Sequence, residues 1–347
     1  MQIGVDTFVA SQRDGGAGGG AAGRVAGVIE EVTLAERVGL DRYSIGEHHR
    51  PDYLSSAPAV LLGAAAVVTR RIRLASAVTV LSSDDPVRVF QQFATVDLLS
   101  EGRAEIIVGR GSFTESYPLF GYDLEDYDAL FSEKLELLLK LRESETVHWS
   151  GRFRPPLTGQ GVYPRPVQQP LPLMLGVGGT PASFVRAGRL GLPLVLAIIG
   201  GEPHRFRPLV DLYREAGREA GHPAETLSVG VHTMGLIADS APLAAETFWP
   251  AYRDLFTRLG RERGWGAPTR NLYDALRGPS GALLVGGPDE VAAKIRHIDV
   301  SLGGIDRFSV LLDNGLLEHA AILRAIELLG TRVAPQVRGD APRQPLP

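Results

Sequence analysis

The chain has 347 residues, 44% of them apolar and 22% charged, so it has the material for a large core and lies far from disordered compositions. A formal net charge of −4 with no Lys/Arg block removes the electrostatic footprint of a nucleic-acid binder. Cysteine is absent, which excludes disulfides, Cys-ligated zinc, iron–sulfur clusters and a thiol nucleophile, and suits a reducing compartment.

The start, MQIGVDTFVA, lacks a basic segment followed by a long apolar one. The longest apolar runs, near 57–68 and 192–200, are too short to span a bilayer, so a cytoplasmic protein without membrane contact is expected. Alternation over 3–9 predicts a first strand, and 11–23 is a Gly/Ala-rich loop with nothing to bury. Apolar residues at 25, 28, 29, 32, 35 and 38 predict a helix that Gly39 stops. Strand two spans 42–47, a small-residue helix 57–69, and strand three 72–80. Ser82-Ser83-Asp84-Asp85-Pro86 reads as a cap and proline start for a helix over 87–99. Strand four, 104–108, runs into Gly109-Arg110-Gly111-Ser112-Phe113, and a periodic helix lies within 124–142.

The proline-containing stretch 146–169 predicts an excursion with a short hairpin. Strand five (171–177) is followed by a helix opening at Gly178-Gly179-Thr180-Pro181, strand six (193–199) by a helix over 208–221, and strand seven (227–238) by one over 241–263. Residues 264–281 read as irregular. A helix over 288–300, strand eight at 307–312 and a helix over 316–329 close the pattern. Eight strands alternating with helices predict one α/β domain over 1–338, a (β/α)8 TIM barrel with insertions, with a frayed tail at 339–347. A doubly wound open sheet is the alternative.

In a barrel the chemistry sits at the C-terminal ends of the strands. Glu47-His48-His49, Gly109-Arg110-Gly111-Ser112 and Gly178-Gly179-Thr180 all follow predicted strands. Glycines before a helix N-terminus let backbone approach an anion, with the Thr180 and Ser183 hydroxyls beside free N–H groups and Arg110 as a source of positive charge. The competing reading is a plain βα turn capped by Thr180, with Arg110 solvated. For Glu47-His48-His49 the options are a general base, a structural histidine pair and a divalent metal site. Neighbouring strand residues face opposite sides, which argues against the metal. Nothing ties His148 or His232 to a site.

Read in order, several stretches resemble the bacterial luciferase-like flavin-dependent monooxygenases, a family that includes alkanesulfonate monooxygenases and deazaflavin-using reductases. They are Ala35-Glu36-Arg37-Val38-Gly39-Leu40-Asp41, Gly46-Glu47-His48-His49, Ser76-Ala77-Val78-Thr79-Val80-Leu81, Asp85-Pro86-Val87-Arg88, Leu98-Leu99-Ser100-Glu101-Gly102-Arg103, Val108-Gly109-Arg110-Gly111 and Gly176 to Ser183. The resemblance runs from about residue 2 to 330 and implies a (β/α)8 barrel binding reduced FMN, which reacts with dioxygen, at its mouth.

Matched by position, Arg110, Gly178, Gly179, Thr180 and Ser183 hold the FMN phosphate. Ala77–Val78 corresponds to a non-prolyl cis peptide against the flavin ring, Glu47 to the carboxylate supporting it, and His48 to the catalytic base with His49 second. Gly109 stands where luciferase has cysteine and Phe113 where it has tyrosine, which argues against light emission and gives the substrate side an apolar wall. The implied activity is oxygenation of a small organic substrate, with flavin supplied by a separate NAD(P)H:flavin reductase, since no nicotinamide fingerprint occurs in the chain. A deazaflavin-dependent reductase or dehydrogenase and a non-catalytic flavin-binding subunit are the alternatives. The small-residue helix near 57–68 resembles the dimerising segment of relatives and equally suits an internal barrel contact; a homodimer is expected, and no metal.

Overall fold

The computed structural model describes residues 1–11 and 20–338. Eight parallel strands form its centre: β1 (Gln2–Thr7), β2 (Arg42–Ile45), β3 (Arg73–Ser76), β4 (Ala104–Gly109), β5 (Leu173–Val177), β6 (Leu194–Ala197), β7 (Val229–Ile237) and β8 (Arg307–Leu311). Each pairs in parallel with the next, and β8 returns to β1 with Gln2 opposite Arg307 and Asp6 opposite Leu311. Closure of this ring establishes the (β/α)8 barrel and removes the open-sheet alternative.

The strands are buried on both faces. Outward residues such as Ile3, Val5, Tyr43, Leu74, Ile106 and Phe308 join the surrounding helices in one extensive core. Inward residues form a separate, smaller cluster of Ala75, Ile107, Met174 and Val195, with Val78 packed against it. Beneath that cluster Glu105 meets Arg42, Arg73 and Arg307 across the interior. Two faces of opposite character explain why the strands read as near-continuous apolar runs broken by single polar residues.

Local signals act as the sequence leads one to expect. Asp85 caps the helix Pro86–Leu99, its carboxylate accepting from Val87 N at 2.8 Å and Arg88 N at 3.2 Å. The excursion carries an antiparallel hairpin of Thr146–Trp149 and Leu157–Gly161. Several boundaries differ, the following four most. The third strand is split: β3 stops at Ser76, the Ala77–Val78 peptide is cis, and Thr79–Val80 pairs separately with β4. The stretch 264–281 contains the helix Arg270–Arg277, capped by Thr269, whose eight residues are too few for periodicity to show. A three-residue strand, Leu284–Gly286, pairs with β7. Of the glycine-rich segment, Gly20 to Gly23 begin the helix Gly20–Arg37. Residues 12–19 of that loop, and the tail 339–347, lie outside the described residues, among which no helix is long and apolar enough to cross a membrane.

Candidate active site

A cavity of about 630 Å³ opens at the C-terminal ends of the strands. Glu47, His48, His49, Ala77, Val78, Gly109, Arg110, Phe113, Gly178 and Thr180 all line it. Gly179 and Ser183 stand beside it at the start of the helix Pro181–Arg189. Segments far apart in the chain therefore meet at the place where a barrel concentrates its chemistry.

Glu47 lies just past the end of β2, not within it, so the strand-alternation argument does not govern its neighbours. One carboxylate oxygen accepts from Val80 N at 2.9 Å, holding the chain beyond the cis peptide, and the other contacts His49 Nε2 at 2.9 Å. Both acceptor atoms are thus engaged within the protein. Among the described residues no group of His, Asp or Glu side chains is arranged to hold a metal ion.

His48 is set differently. Its ring lies against Phe8 (4.5 Å between centroids), Tyr53 (4.4 Å) and Phe113 (5.2 Å), and its Nε2 is buried without a hydrogen-bond partner among the described residues. Burial, reinforced by the charges of His49 and Arg50, pushes its pKa down to about 3, so the imidazole is neutral at pH 7. Gly46 makes room for this arrangement: a Cβ there would lie 2.5 Å from Phe8 Cδ1.

Two further glycines make room for Val78. A Cβ on Gly109 would lie 2.8 Å from one Val78 methyl, and a Cβ on Gly176 2.6 Å from the other. At the rim beside them, Arg110 binds Asp128 at 2.5 Å, donates to Ser183 Oγ at 3.2 Å and lies over the Tyr127 ring. Thr180 occupies the N-cap of Pro181–Arg189 without making a side-chain cap, and a Cβ on Gly178 or Gly179 would meet nothing within 4 Å. An open glycine turn, helix N–H groups and a guanidinium converge there, the chemistry of an anion subsite.

The outer wall is aromatic and tied by ion pairs. The helix Ala241–Arg263 contributes Tyr252 and Phe256, and Trp265 follows it. Arg50 pairs with Glu115 and Glu262, Arg258 with Asp52 at 2.5 Å, and Arg263 donates to Ser112 O at 3.0 Å. These contacts hold the segment after β4 and the helix Ala241–Arg263 together over the cavity.

Sequence reasoning left His232 without a site, yet it lines the cavity, with its Nδ1 2.5 Å from Asp6 Oδ2 and its ring stacked on Phe8. A usable signal existed: Asp6 and His232 each place an ionisable side chain in a mostly apolar barrel strand. Asp313 was also missed; one of its oxygens accepts from Ala10 N at 2.6 Å and Thr7 Oγ1 at 2.8 Å.

The model of the family described as luciferase-like monooxygenase matches residues 1–305. Among curated proteins, N-acetyl-S-alkylcysteine monooxygenase of Bacillus subtilis is 30% identical over 225 residues, 63% of this chain and 65% of that protein. F420-dependent glucose-6-phosphate dehydrogenase of Amycolatopsis mediterranei is 31% identical over 177 residues, 47% and 51% respectively. The matches to the first curated relatives span 46–66% of those proteins' own lengths. A monooxygenase structure from Streptomyces bottropensis superposes with a TM-score of 0.83 over 96% of this chain and 98% of that one at 24% identity, a likeness of fold.

Proposed function

The chain belongs to the luciferase-like monooxygenase family, and from that premise we propose that it uses reduced FMN and dioxygen to oxygenate a small organic substrate. The observation that carries this reading is the pairing, within one cavity, of an anion subsite with a recess shaped around Val78. The donor set suits a phosphate-bearing flavin: Arg110, the Thr180 and Ser183 hydroxyls and the backbone at Gly178 and Gly179 would hold the phosphate. Ala77 and Val78 would back the ring. Bound reduced FMN supplies the electrons that activate dioxygen.

The chain's own residues do the rest. Glu47 holds the segment carrying Val78 and orients His49. His48, neutral and with Nε2 free of a partner among the described residues, accepts or returns a proton at that atom. Gly109 and Phe113 border the substrate, and the aromatic wall excludes water. Flavin is delivered reduced by a separate NAD(P)H:flavin reductase in the cytoplasm, and the chain works as a homodimer. Exposed Val60, Val67 and Val68 on the helix Pro58–Val68, with Leu98 and Leu99 beside them, support the dimer.

Anaerobic titration of the purified protein with reduced FMN tests the cofactor: we expect saturable binding that weakens about tenfold in Arg110→Ala, one charge-assisted hydrogen bond. A deazaflavin-dependent dehydrogenase is the second reading, favoured by the likeness to the Amycolatopsis enzyme. Binding of deazaflavin but not FMN, with turnover that needs no oxygen, would replace the first reading by the second. Tight flavin binding with no reaction from any reductase-supplied system would indicate a non-catalytic subunit.

A further inference from the structure

Asp6 in β1 and His232 in β7 face each other inside a barrel whose other half is lined by Ala75, Ile107, Met174 and Val195. Both are almost fully buried, Nδ1 and Oδ2 are 2.5 Å apart, and Asp6 Oδ1 has no partner among the described residues. Burying a carboxylate in this way carries a large desolvation cost, so a pair that contributes only packing would be poorly placed here. Both residues also line the cavity.

Because the carboxylate accepts, Nδ1 carries the hydrogen, and Nε2 keeps a lone pair as the ring's remaining polar atom. Phe8 separates the two imidazoles, edge-on to His48 at 4.5 Å and stacked on His232 at 5.9 Å. Among the described residues no carboxylate is hydrogen-bonded to His48, whereas His232 has one built in. Tyr53, Phe113, Tyr252, Phe256 and Trp265 line the same cavity. A cavity with an aromatic lining and an Asp–His pair suits a flat, apolar molecule that carries one acidic hydroxyl.

Resting on the flavin-dependent oxygenation reading above, we propose that His232, oriented by Asp6, is a second catalytic base and that the substrate is a phenol. In the step, the phenolic O–H bond breaks, its electron pair stays on oxygen, and the proton forms a new N–H bond at His232 Nε2. The imidazolium so formed faces the Asp6 carboxylate, which stabilises it without taking the proton. No redox change occurs in this step. The phenolate is a more electron-rich ring than the phenol and is the form suited to oxygenation.

The test uses 4-nitrophenol, whose absorption separates phenol from phenolate, added to the flavin-free protein at a pH where most of the free probe is protonated. The wild type is expected to bind it and raise the phenolate fraction severalfold, and His232→Asn and Asp6→Asn are expected to lose that rise. His232→Gln serves where Asp6→Asn does not fold, with circular dichroism reporting the folded state. FMN binding, measured on the same proteins, is expected to persist in the His232 variants. Loss of FMN binding by the wild type would sink the flavin reading while leaving the probe result standing. The proposal is overturned if the wild type neither binds nor ionises the probe, or if the His232 variants still ionise it. It is equally overturned if His48→Asn alone abolishes the rise.

Discussion

At the floor of the barrel Glu105 takes Arg42 at 2.7 Å with Arg73 and Arg307 each at 3.5 Å, whereas at the mouth His48 Nε2 and one Asp6 oxygen are buried without partners among the described residues. Both regions bury ionisable groups, but the floor's charges are directed at one another and the mouth's are directed into a cavity. The floor's electrostatics follow from this closure. Glu105 is held below the usual carboxylate range chiefly by Arg42, against the opposing effect of burial. Burial and the neighbouring Arg42 push Arg307 down to about 10. The lesson is that buried charge alone does not mark a site; buried polar atoms left without protein partners at a cavity wall do so better.

The largest way to break the comparison is Glu105→Ala. It leaves three guanidinium groups with no carboxylate, and breaking such a buried set is expected to cost about 3–5 kcal/mol. Urea denaturation checks it; a loss under 1 kcal/mol would mean the floor is hydrated and its pairing unimportant. Next is Gly176→Ala, whose methyl would lie 2.6 Å from Val78. Overpacking of this kind is expected to cost about 1–3 kcal/mol and to weaken flavin binding by displacing Val78. Unchanged affinity for reduced FMN would detach Val78 from the cofactor.

A third effect is on pH dependence, and it separates the two regions. The folded protein leaves His48 unprotonated down to about pH 3, while the unfolded chain takes up that proton near pH 6.5. The unfolded state therefore binds more protons in that window, and stability falls as the pH falls through it. Glu105 adds the same sign but only below the ordinary carboxylate range, since its pKa is lowered in the fold. His48→Gln is thus expected to flatten the decline in Tm between about pH 6.5 and 4.5, leaving the steeper loss at lower pH in place. An unchanged profile in that upper window would show that His48 is protonated in the fold.

Much of the architecture was legible because alternating strands and helices are local patterns: Asp85 before Pro86, the glycine stop at Gly39 and the helical spacing from 25 to 38 each act over a few residues. The clusters at 47–49, 109–113 and 178–183 were legible as strand-end chemistry for the same reason, since polar residues directly after apolar strands need little more than adjacency. The helix Arg270–Arg277 was not, being two turns long between glycines and prolines.

By itself, the sequence determined the alternation of strands and helices, the places where polar side chains leave the strands, and the absence of any cysteine thiol. Only the tertiary structure decided which polar residues meet. Asp6 and His232 are 226 positions apart and become partners through ring closure, because β8 pairs with both β1 and β7. Glu105 likewise finds Arg42 and Arg307 only across the closed interior. His48 shares its kind of side chain with His49; burial among Phe8, Tyr53 and Phe113 is what lowers its pKa. Burial and long-range pairing are properties of the closed barrel, and no local pattern in the chain encodes them.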